Sequence, residues 1–222
     1  MEFFIDSADV EAIKELGDFL PIDGVTTNPT IITKSGKDPL EVLRQISELL
    51  SDDQKLFAQV VATDYEGILA EGRRICSLRE RNMFVKVPVS RTGLKAIATL
   101  KEEGLGVLAT GIYSPEQAFW AAKAGADYLA PYLNRMCNYG DGVGQVVDLI
   151  ETMAIYGFDA KVCAASFKNV EQVHALLVAG VPSITVAPEV IRSMVDHPGT
   201  GIAVDEFTAN WQASYGRAAF EA

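Results

Sequence analysis

The chain has 222 residues, 49% of them hydrophobic, and its 30 Asp and Glu against 19 Lys and Arg give a net charge of −11. This composition supplies a large apolar core and excludes a disordered chain. The acidic charge repels the phosphates of nucleic acids and anionic lipid surfaces, so neither is expected as a partner. No apolar run reaches the roughly 18 residues of a membrane-spanning helix, and the acidic start is too short for a signal peptide.

The cysteines and histidines favour neither a disulfide framework nor a metal site. Cys76, Cys137 and Cys163 are scattered along the chain and odd in number. They fit reduced thiols and a cytoplasmic location. His174 and His197 lie far from the cysteines in sequence, without the spacing of a zinc site. We therefore expect no bound metal.

Short apolar runs alternate with segments of helical period along the chain. The eight runs predict β-strands over residues 3–5, 24–27, 56–61, 83–87, 106–110, 127–130, 161–165 and 183–186. Apolar residues three and four apart predict helices over 7–16, 39–50, 64–79, 92–103, 115–124, 143–156 and 170–179. Eight such units with continuously apolar strands indicate an α/β fold, a parallel (β/α)8 TIM barrel. A doubly wound open sheet is the alternative, weakened by the absence of a G-x-G-x-x-G motif after the first strand.

One more helix than eight units require is predicted at about residues 202–220. Val204, Phe207, Trp211 and Tyr215 recur at spacings of three and four, which is typical of an amphipathic helix. The aromatic stripe fits packing on the chain's own barrel and packing on a neighbouring subunit equally well. The sequence thus predicts one domain over residues 1–222 with an extra C-terminal helix.

Polar side chains at the strand ends predict a functional site, because the carboxyl ends of the strands form the functional face of such a barrel. The candidates are Asp6, Thr26, Asn28, Gln59, Lys86, Thr110, Tyr132, Arg135 and Ser166. Each alone has a structural explanation, such as a helix cap, a turn, a core hydrogen bond or a surface ion pair. Their convergence on one mouth favours an active site.

Lys86 needs the most explanation, because it lies between Val85 and Val87 in an apolar strand. Burial disfavours the ammonium form and lowers the pKa of a lysine. A neutral lysine is a nucleophile that forms an imine with a carbonyl group. The structural alternative is a lysine that extends out of the strand end into water.

The chain resembles the transaldolase-like fructose-6-phosphate aldolases of the small-transaldolase family over essentially its whole length. The resemblance rests on Phe4-Ile5-Asp6, Gly24-Val25-Thr26-Thr27-Asn28-Pro29, Val85-Lys86-Val87-Pro88, Ala130-Pro131-Tyr132-Leu133-Asn134-Arg135 and Ala164-Ala165-Ser166-Phe167-Lys168. It implies a class I aldolase barrel in which Lys86 forms the Schiff base and no cofactor is needed.

The resemblance also implies roles for the remaining candidates. Asp6 and Asn28 match residues that hold the hydroxyl groups of the ketone donor, and Thr26 lies in the same motif as Asn28. Arg135 and Ser166 resemble the site for the acceptor phosphate, for which Lys168 is a weaker candidate. The remaining three match a proton relay through a shared water: Tyr132, Gln59 and Thr110.

Three positions separate the aldolases from the transaldolases of this family, and all three favour an aldolase. The chain has Gln59 where transaldolases have a glutamate, Tyr132 where they have a phenylalanine, and Leu108 where they tend to have an asparagine. A glutamine amide takes up no proton at neutral pH, so Gln59 is not a general base. The implied reaction is cleavage of fructose 6-phosphate to dihydroxyacetone and glyceraldehyde 3-phosphate, or its reverse. The alternative is a transaldolase of the pentose phosphate pathway.

Two further alternatives belong to other classes. A metal-dependent epimerase or class II aldolase would need clustered histidines and carboxylates, and both histidines fall outside the predicted strands. A phosphate-binding barrel without activity is also compatible with the fold, because a fold does not determine a function. The resemblance implies a homo-oligomer, a pentamer or a decamer, with the C-terminal helices packed across subunits.

Overall fold

The computed structural model describes residues 1–221 as a barrel of eight parallel strands that pair in chain order and close on themselves. The strands are β1 (Glu2–Asp6), β2 (Gly24–Thr26), β3 (Lys55–Gln59), β4 (Met83–Pro88), β5 (Gly106–Ile112), β6 (Tyr128–Pro131), β7 (Lys161–Ala164) and β8 (Ser183–Val186). The pairing of β8 with β1 completes the ring. The predicted (β/α)8 TIM barrel is therefore confirmed, and the open sheet is excluded.

Helices follow the strands around the outside of the barrel. They are α1 (Val10–Phe19), α2 (Pro29–Lys34), α3 (Pro39–Leu49), α4 (Tyr65–Cys76), α5 (Arg91–Glu102), α6 (Pro115–Lys123), α7 (Leu133–Met136), α8 (Gly142–Tyr156), α9 (Val170–Val178), α10 (Pro188–Val195) and α11 (Pro198–Tyr215). Most begin at an Asp, Asn or Ser whose side chain accepts a hydrogen bond from a backbone N–H of the first turn, as Asp9 does for α1. Hydrophobic period alone did not predict α2, α7 and α10, which are short.

Aromatic rings fill the barrel interior towards the amino-terminal ends of the strands. Phe57 lies 4.9 Å from Phe84, 5.1 Å from Phe4 and 5.2 Å from Tyr128, measured between ring centroids. At the amino-terminal end of the barrel, Glu2 accepts hydrogen bonds from Lys55 at 2.8 Å, Tyr128 at 2.9 Å and Lys161 at 3.3 Å. Burial opposes the charge of Glu2, but these partners outweigh it and lower its pKa. The packed rings leave the other end of the barrel, where the strands terminate, as the accessible one.

The C-terminal helix begins earlier and ends earlier than the sequence pattern indicates. It runs from Pro198 to Tyr215, against the expected 202–220. Pro198 at the first turn and the His197 side chain, which accepts the Gly199 N–H at 3.1 Å, start the helix before the aromatic stripe. Gly216, with a φ of 66°, ends it in the left-handed conformation. None of its residues is buried.

No helix within residues 1–221 is both long enough and apolar enough to cross a membrane.

Candidate active site

Strand register brings the predicted polar residues to one end of the barrel. Asp6 is the register partner of Thr26, Gln59 that of Lys86, and Pro88 that of Thr110. These pairs lie at or next to the carboxyl ends of β1 to β5. The ring continues with Tyr132, whose backbone N–H bonds to the carbonyl of Ile112 at 3.0 Å.

Lys86 is buried with only 4% of its surface exposed, and it points into the barrel. Its neighbours in sequence, Val85 and Val87, are fully buried on the opposite face of β4, towards the helices. Burial lowers the pKa of Lys86, and the negative charge of Asp6 opposes that shift only partly. The amine therefore has the environment of a nucleophile and does not extend into water, which removes the structural alternative.

Asp6 supplies the carboxyl group of the mouth. Thr26 Oγ1 donates a hydrogen bond of 2.7 Å to Asp6 Oδ1. Burial raises the pKa of Asp6, Lys86 and Thr26 oppose the rise, and Glu189 adds to it. Burial thus shifts the pKa values of Asp6 and Lys86 towards their neutral forms, while the charge of each partner opposes the shift of the other.

Gln59 contributes an unpaired carbonyl oxygen to the mouth. Its Oε1 atom is buried and accepts a hydrogen bond from none of the residues 1–221. A buried acceptor without a partner costs free energy, so such an atom generally serves a ligand or a water molecule. Because Gln59 and Lys86 are register partners on adjacent strands, a ligand or water bound to Gln59 Oε1 would lie on the same side of the barrel as the amine.

Thr110 and Tyr132 form a second polar pair. Their hydroxyl oxygens are 3.0 Å apart. Thr110 is 1% exposed, whereas the Tyr132 side chain is partly exposed. The pair can therefore hold or move a proton between the barrel interior and the mouth.

Arg135 lies at the rim rather than in the interior. Its guanidinium is 4.8 Å from the centroid of the Tyr132 ring, and its Nη1 atom donates to the Tyr113 hydroxyl at 2.9 Å. The side chain is exposed, so it is held by an aromatic face on one side and a phenol on the other. This fixes a cation above the mouth, where it can meet an anionic group on a ligand.

Ser166 and Asn28 are placed by backbone contacts. Ser166 follows β7 in the left-handed region, with a φ of 63°, a conformation that serine adopts at a cost. Its carbonyl accepts the Asn134 N–H at 3.2 Å, which joins its loop to α7, the helix of Arg135. Asn28 begins α2, where its Oδ1 atom accepts the Ile31 N–H at 3.0 Å. The amide nitrogen of Asn28 is thus the side-chain atom that can bind a ligand.

Thr185 on β8 and Tyr113 after β5 also contact the site, although neither is among the predicted site residues. Thr185 Oγ1 is 2.6 Å from Thr26 Oγ1, and Tyr113 orients Arg135 as described. A polar residue at the end of a barrel strand was the available signal for Thr185. The contact of Tyr113 with Arg135 joins two segments 22 residues apart, so no local pattern indicated it.

Beside Asp6 a groove of about 910 Å³ opens between α1, α2, α3 and α10. Asp6 is the only predicted site residue in its wall, which otherwise includes Ser7, Lys34, Ala187 and Arg192. In the described part of the chain, no three His, Cys, Asp or Glu side chains come together in a way that could hold a metal ion.

A parallel eight-stranded barrel with a buried lysine, a carboxyl group and a phenol at the carboxyl ends of its strands has the architecture of a (β/α)8 enzyme. Residues 3–221 match the sequence profile of the Transaldolase/Fructose-6-phosphate aldolase family, and the chain belongs to this family. The resemblance seen in the sequence is thereby confirmed.

Curated relatives carry both names of the family. A protein named "Probable transaldolase" from Ruegeria sp. (strain TM1040) is 41% identical, over 96% of this chain and 98% of its own length. Another with that name, from Clostridium acetobutylicum, is 36% identical over 98% of this chain and 100% of its own. A "Probable fructose-6-phosphate aldolase" from Streptococcus pneumoniae is 39% identical over 95% and 96%. The family is therefore established, but the names of these relatives divide between transaldolase and fructose-6-phosphate aldolase.

Proposed function

We propose that the protein is a Schiff-base aldolase that cleaves or forms fructose 6-phosphate, with dihydroxyacetone and glyceraldehyde 3-phosphate as the other partners. The observation that carries the proposal is the burial of Lys86 beside Asp6 at the mouth of the barrel. A lysine with a lowered pKa in a polar mouth is equipped to attack a ketone. Family membership limits the reaction to aldol cleavage or transfer of a ketose fragment.

The first step is imine formation. Neutral Lys86 Nζ attacks C2 of the open-chain ketone, and the resulting carbinolamine loses its oxygen as water to leave an iminium ion. That loss needs an acid, and Asp6, whose pKa is raised by burial, is the carboxyl group able to supply the proton. Thr26 and Asn28 line the same end of the barrel, where the donor hydroxyls would bind.

The second step breaks the C3–C4 bond. The first step leaves Asp6 as a carboxylate, which takes the proton of the C4 hydroxyl. The electrons of the C3–C4 bond flow into the iminium, and an aldehyde departs, leaving an enamine on Lys86. The phosphate of glyceraldehyde 3-phosphate would lie against the cation that Tyr113 and Tyr132 hold at the rim, namely Arg135. Ser166 is the neighbouring hydroxyl.

The third step decides between cleavage and transfer. Protonation of the enamine at C3 followed by hydrolysis releases dihydroxyacetone, whereas attack of the enamine on a second aldose makes a transferase. Tyr132, hydrogen-bonded to Thr110, is a phenol that can deliver that proton. The unpaired Gln59 Oε1 can accept a hydrogen bond from the water that takes part. Both features support the aldolase reaction.

The alternative is a transaldolase, and one observation favours it. Several of the relatives, including the Ruegeria and Clostridium proteins, are named probable transaldolases. Against it stands position 59, where an amide replaces the carboxylate that a transaldolase would use.

The deciding experiment supplies fructose 6-phosphate without any acceptor aldose and follows glyceraldehyde 3-phosphate in a coupled assay. Release in the wild type and its loss in Lys86→Met are the expected results. Lys14→Met, which changes an exposed lysine on α1, is the matched control. Turnover that begins only after addition of erythrose 4-phosphate would make the protein a transaldolase. Borohydride trapping with peptide mapping tests the imine on Lys86 directly.

We also propose a homo-oligomer, a pentamer or a decamer, in which α11 contacts a neighbouring subunit. The 18-residue helix buries none of its residues on its own barrel, yet it carries large apolar side chains such as Ile202 and Phe207. Independence from cofactors and a cytoplasmic location stay predictions of the sequence.

A further inference from the structure

Three side-chain oxygens form a chain that runs from β8 through β2 to β1. Thr185 Oγ1 is 2.6 Å from Thr26 Oγ1, and Thr26 Oγ1 is 2.7 Å from Asp6 Oδ1. Thr185 is 2% exposed and Thr26 is 0% exposed. Strands β2 and β8 flank β1 on its two sides, so Thr26 on β2 holds Asp6 directly and Thr185 on β8 acts on it through Thr26.

Because each hydroxyl has one proton to donate, the donor and the acceptor of each hydrogen bond in this chain can be assigned. A threonine hydroxyl has a single proton, and Thr26 gives its proton to Asp6 Oδ1. In the contact between the threonines, Thr26 is therefore the acceptor and Thr185 the donor. If Thr26 donated to Thr185 instead, the proton of Thr185 would need another acceptor. Among residues 1–221, only Thr26 is in hydrogen-bond contact with the Thr185 hydroxyl.

We propose that Thr185 is a positioning residue of the active site, whose hydroxyl commits the proton of Thr26 to Asp6 Oδ1 and so leaves Oδ2 as the oxygen that exchanges a proton with the substrate. The inference rests on the proposed Schiff-base chemistry, in which Asp6 acts as the acid. Thr185 itself touches Thr26 and not the reacting atoms, so it acts through its neighbour.

The chain acts on the ionisation of Asp6 together with the charges around it. A hydrogen bond donated to a carboxylate favours the ionised form, and a donor that is itself hydrogen-bonded is a stronger donor. Lys86 on β4 opposes the burial that raises the pKa of Asp6, and Glu189 on α10 adds to the rise. Cys163 on β7 is a protonated thiol, because burial raises its pKa to about 12. The other charged groups of the adjoining groove are Asp9, Glu11, Lys34, Lys37 and Arg192.

Removing the Thr185 hydroxyl should therefore move the pH dependence of the reaction. In Thr185→Val the hydroxyl of Thr26 is no longer oriented, its hydrogen bond to Asp6 weakens, and the pKa of Asp6 rises. The pH profile of kcat for fructose 6-phosphate cleavage is expected to shift to higher pH by about 0.5 unit, the size of one neutral hydrogen bond. Thr185→Ser keeps a hydroxyl and should restore the wild-type profile.

The matched control is Ser183→Ala, which removes another buried hydroxyl from β8. Ser183 Oγ donates to the carbonyl of Val162 at 3.0 Å and takes no part in the chain. Its pH profile should equal that of the wild type. Thr185→Ala serves as a second hydroxyl-free variant if Thr185→Val does not fold, as judged by circular dichroism.

The results separate this inference from the proposed function. A wild type that gives no borohydride-trapped adduct on Lys86 overturns the proposed function and this inference with it. A wild type that forms the adduct, alongside Thr185 variants with an unshifted profile, overturns only the role of Thr185. An equal shift in Ser183→Ala, or in Thr185→Ser, would also overturn it, because the effect would then come from packing.

Discussion

Thr110 and Tyr132 meet at 3.0 Å because the register between β5 and β6 shifts beside them. Ala109 pairs with Leu129, but the next pair joins Ile112 to Pro131, so β5 contains one extra residue. Gly111, with a φ of 69°, takes the left-handed conformation inside this bulge. The bulge thus sets the direction of the Thr110 hydroxyl towards the phenol.

Tyr132→Phe removes the phenol that we expect to protonate the enamine. Cleavage of fructose 6-phosphate should fall by at least about 100-fold, the lower end of what a general acid contributes, while borohydride still traps an adduct on Lys86. Steady-state assays and intact mass measurements check the two parts. Tyr139→Phe changes a phenol that is 81% exposed and is the control. Full cleavage activity in Tyr132→Phe would contradict this role.

Gln59→Glu places a carboxylate beside Lys86. A negative charge near the amine favours its ammonium form, so the pKa of Lys86 should rise and the pH optimum of imine formation should move to higher pH. A carboxylate can also activate a catalytic water, which the amide cannot. The ratio of transfer to cleavage, measured with and without erythrose 4-phosphate, is expected to increase. An unchanged pH optimum would show that a charge at position 59 does not affect the pKa of Lys86.

Arg135→Leu should weaken the binding of phosphorylated substrates. Loss of a charge-assisted hydrogen bond is expected to raise KM for glyceraldehyde 3-phosphate in the synthetic direction by about 10- to 100-fold. Tyr113→Phe, which only frees the guanidinium from its 2.9 Å contact, should have a smaller effect of the same sign. D-Glyceraldehyde without phosphate provides the control, since its KM should not change. Equal effects on both aldehydes would exclude a phosphate role for Arg135.

The sequence predicted the barrel well because each strand is a continuous apolar run between amphipathic segments. Alternation along β4 put Lys86 on the face opposite Val85 and Val87, but the sequence left open whether its side chain stays inside the barrel or extends into water. The 4% exposure of Lys86 in the structure answers that question. The sequence did not predict the short helix α7 or the clamp of Tyr113 on Arg135. Such features depend on contacts between distant segments, which hydrophobic period does not encode.

Lys86→Met should stabilise the fold in a pH-dependent manner. Burial lowers the pKa of Lys86, so below that value the folded protein carries a buried charge that the unfolded chain exposes to water. Wild-type stability therefore rises with pH between the lowered pKa and 10.5, the ordinary value, because the unfolded state binds more protons there. The variant's gain, about 1 kcal/mol or more in the free energy of unfolding, should be largest at low pH. Urea unfolding at several pH values checks this, and a gain that is independent of pH would contradict it.

Phe207→Glu should disrupt the assembly without unfolding the barrel. Phe207 is 69% exposed on α11, whose 18 residues extend about 27 Å and include no fully buried residue. A charge there costs nothing in an isolated subunit, but it costs free energy wherever a neighbouring chain covers the side chain. Light scattering should give a smaller mass for the variant, with an unchanged circular dichroism spectrum. Val178→Glu on α9, at a residue 74% exposed, is the control and should keep the wild-type mass. If the wild type is a monomer, or if the two variants lose mass equally, α11 is not the contact between subunits.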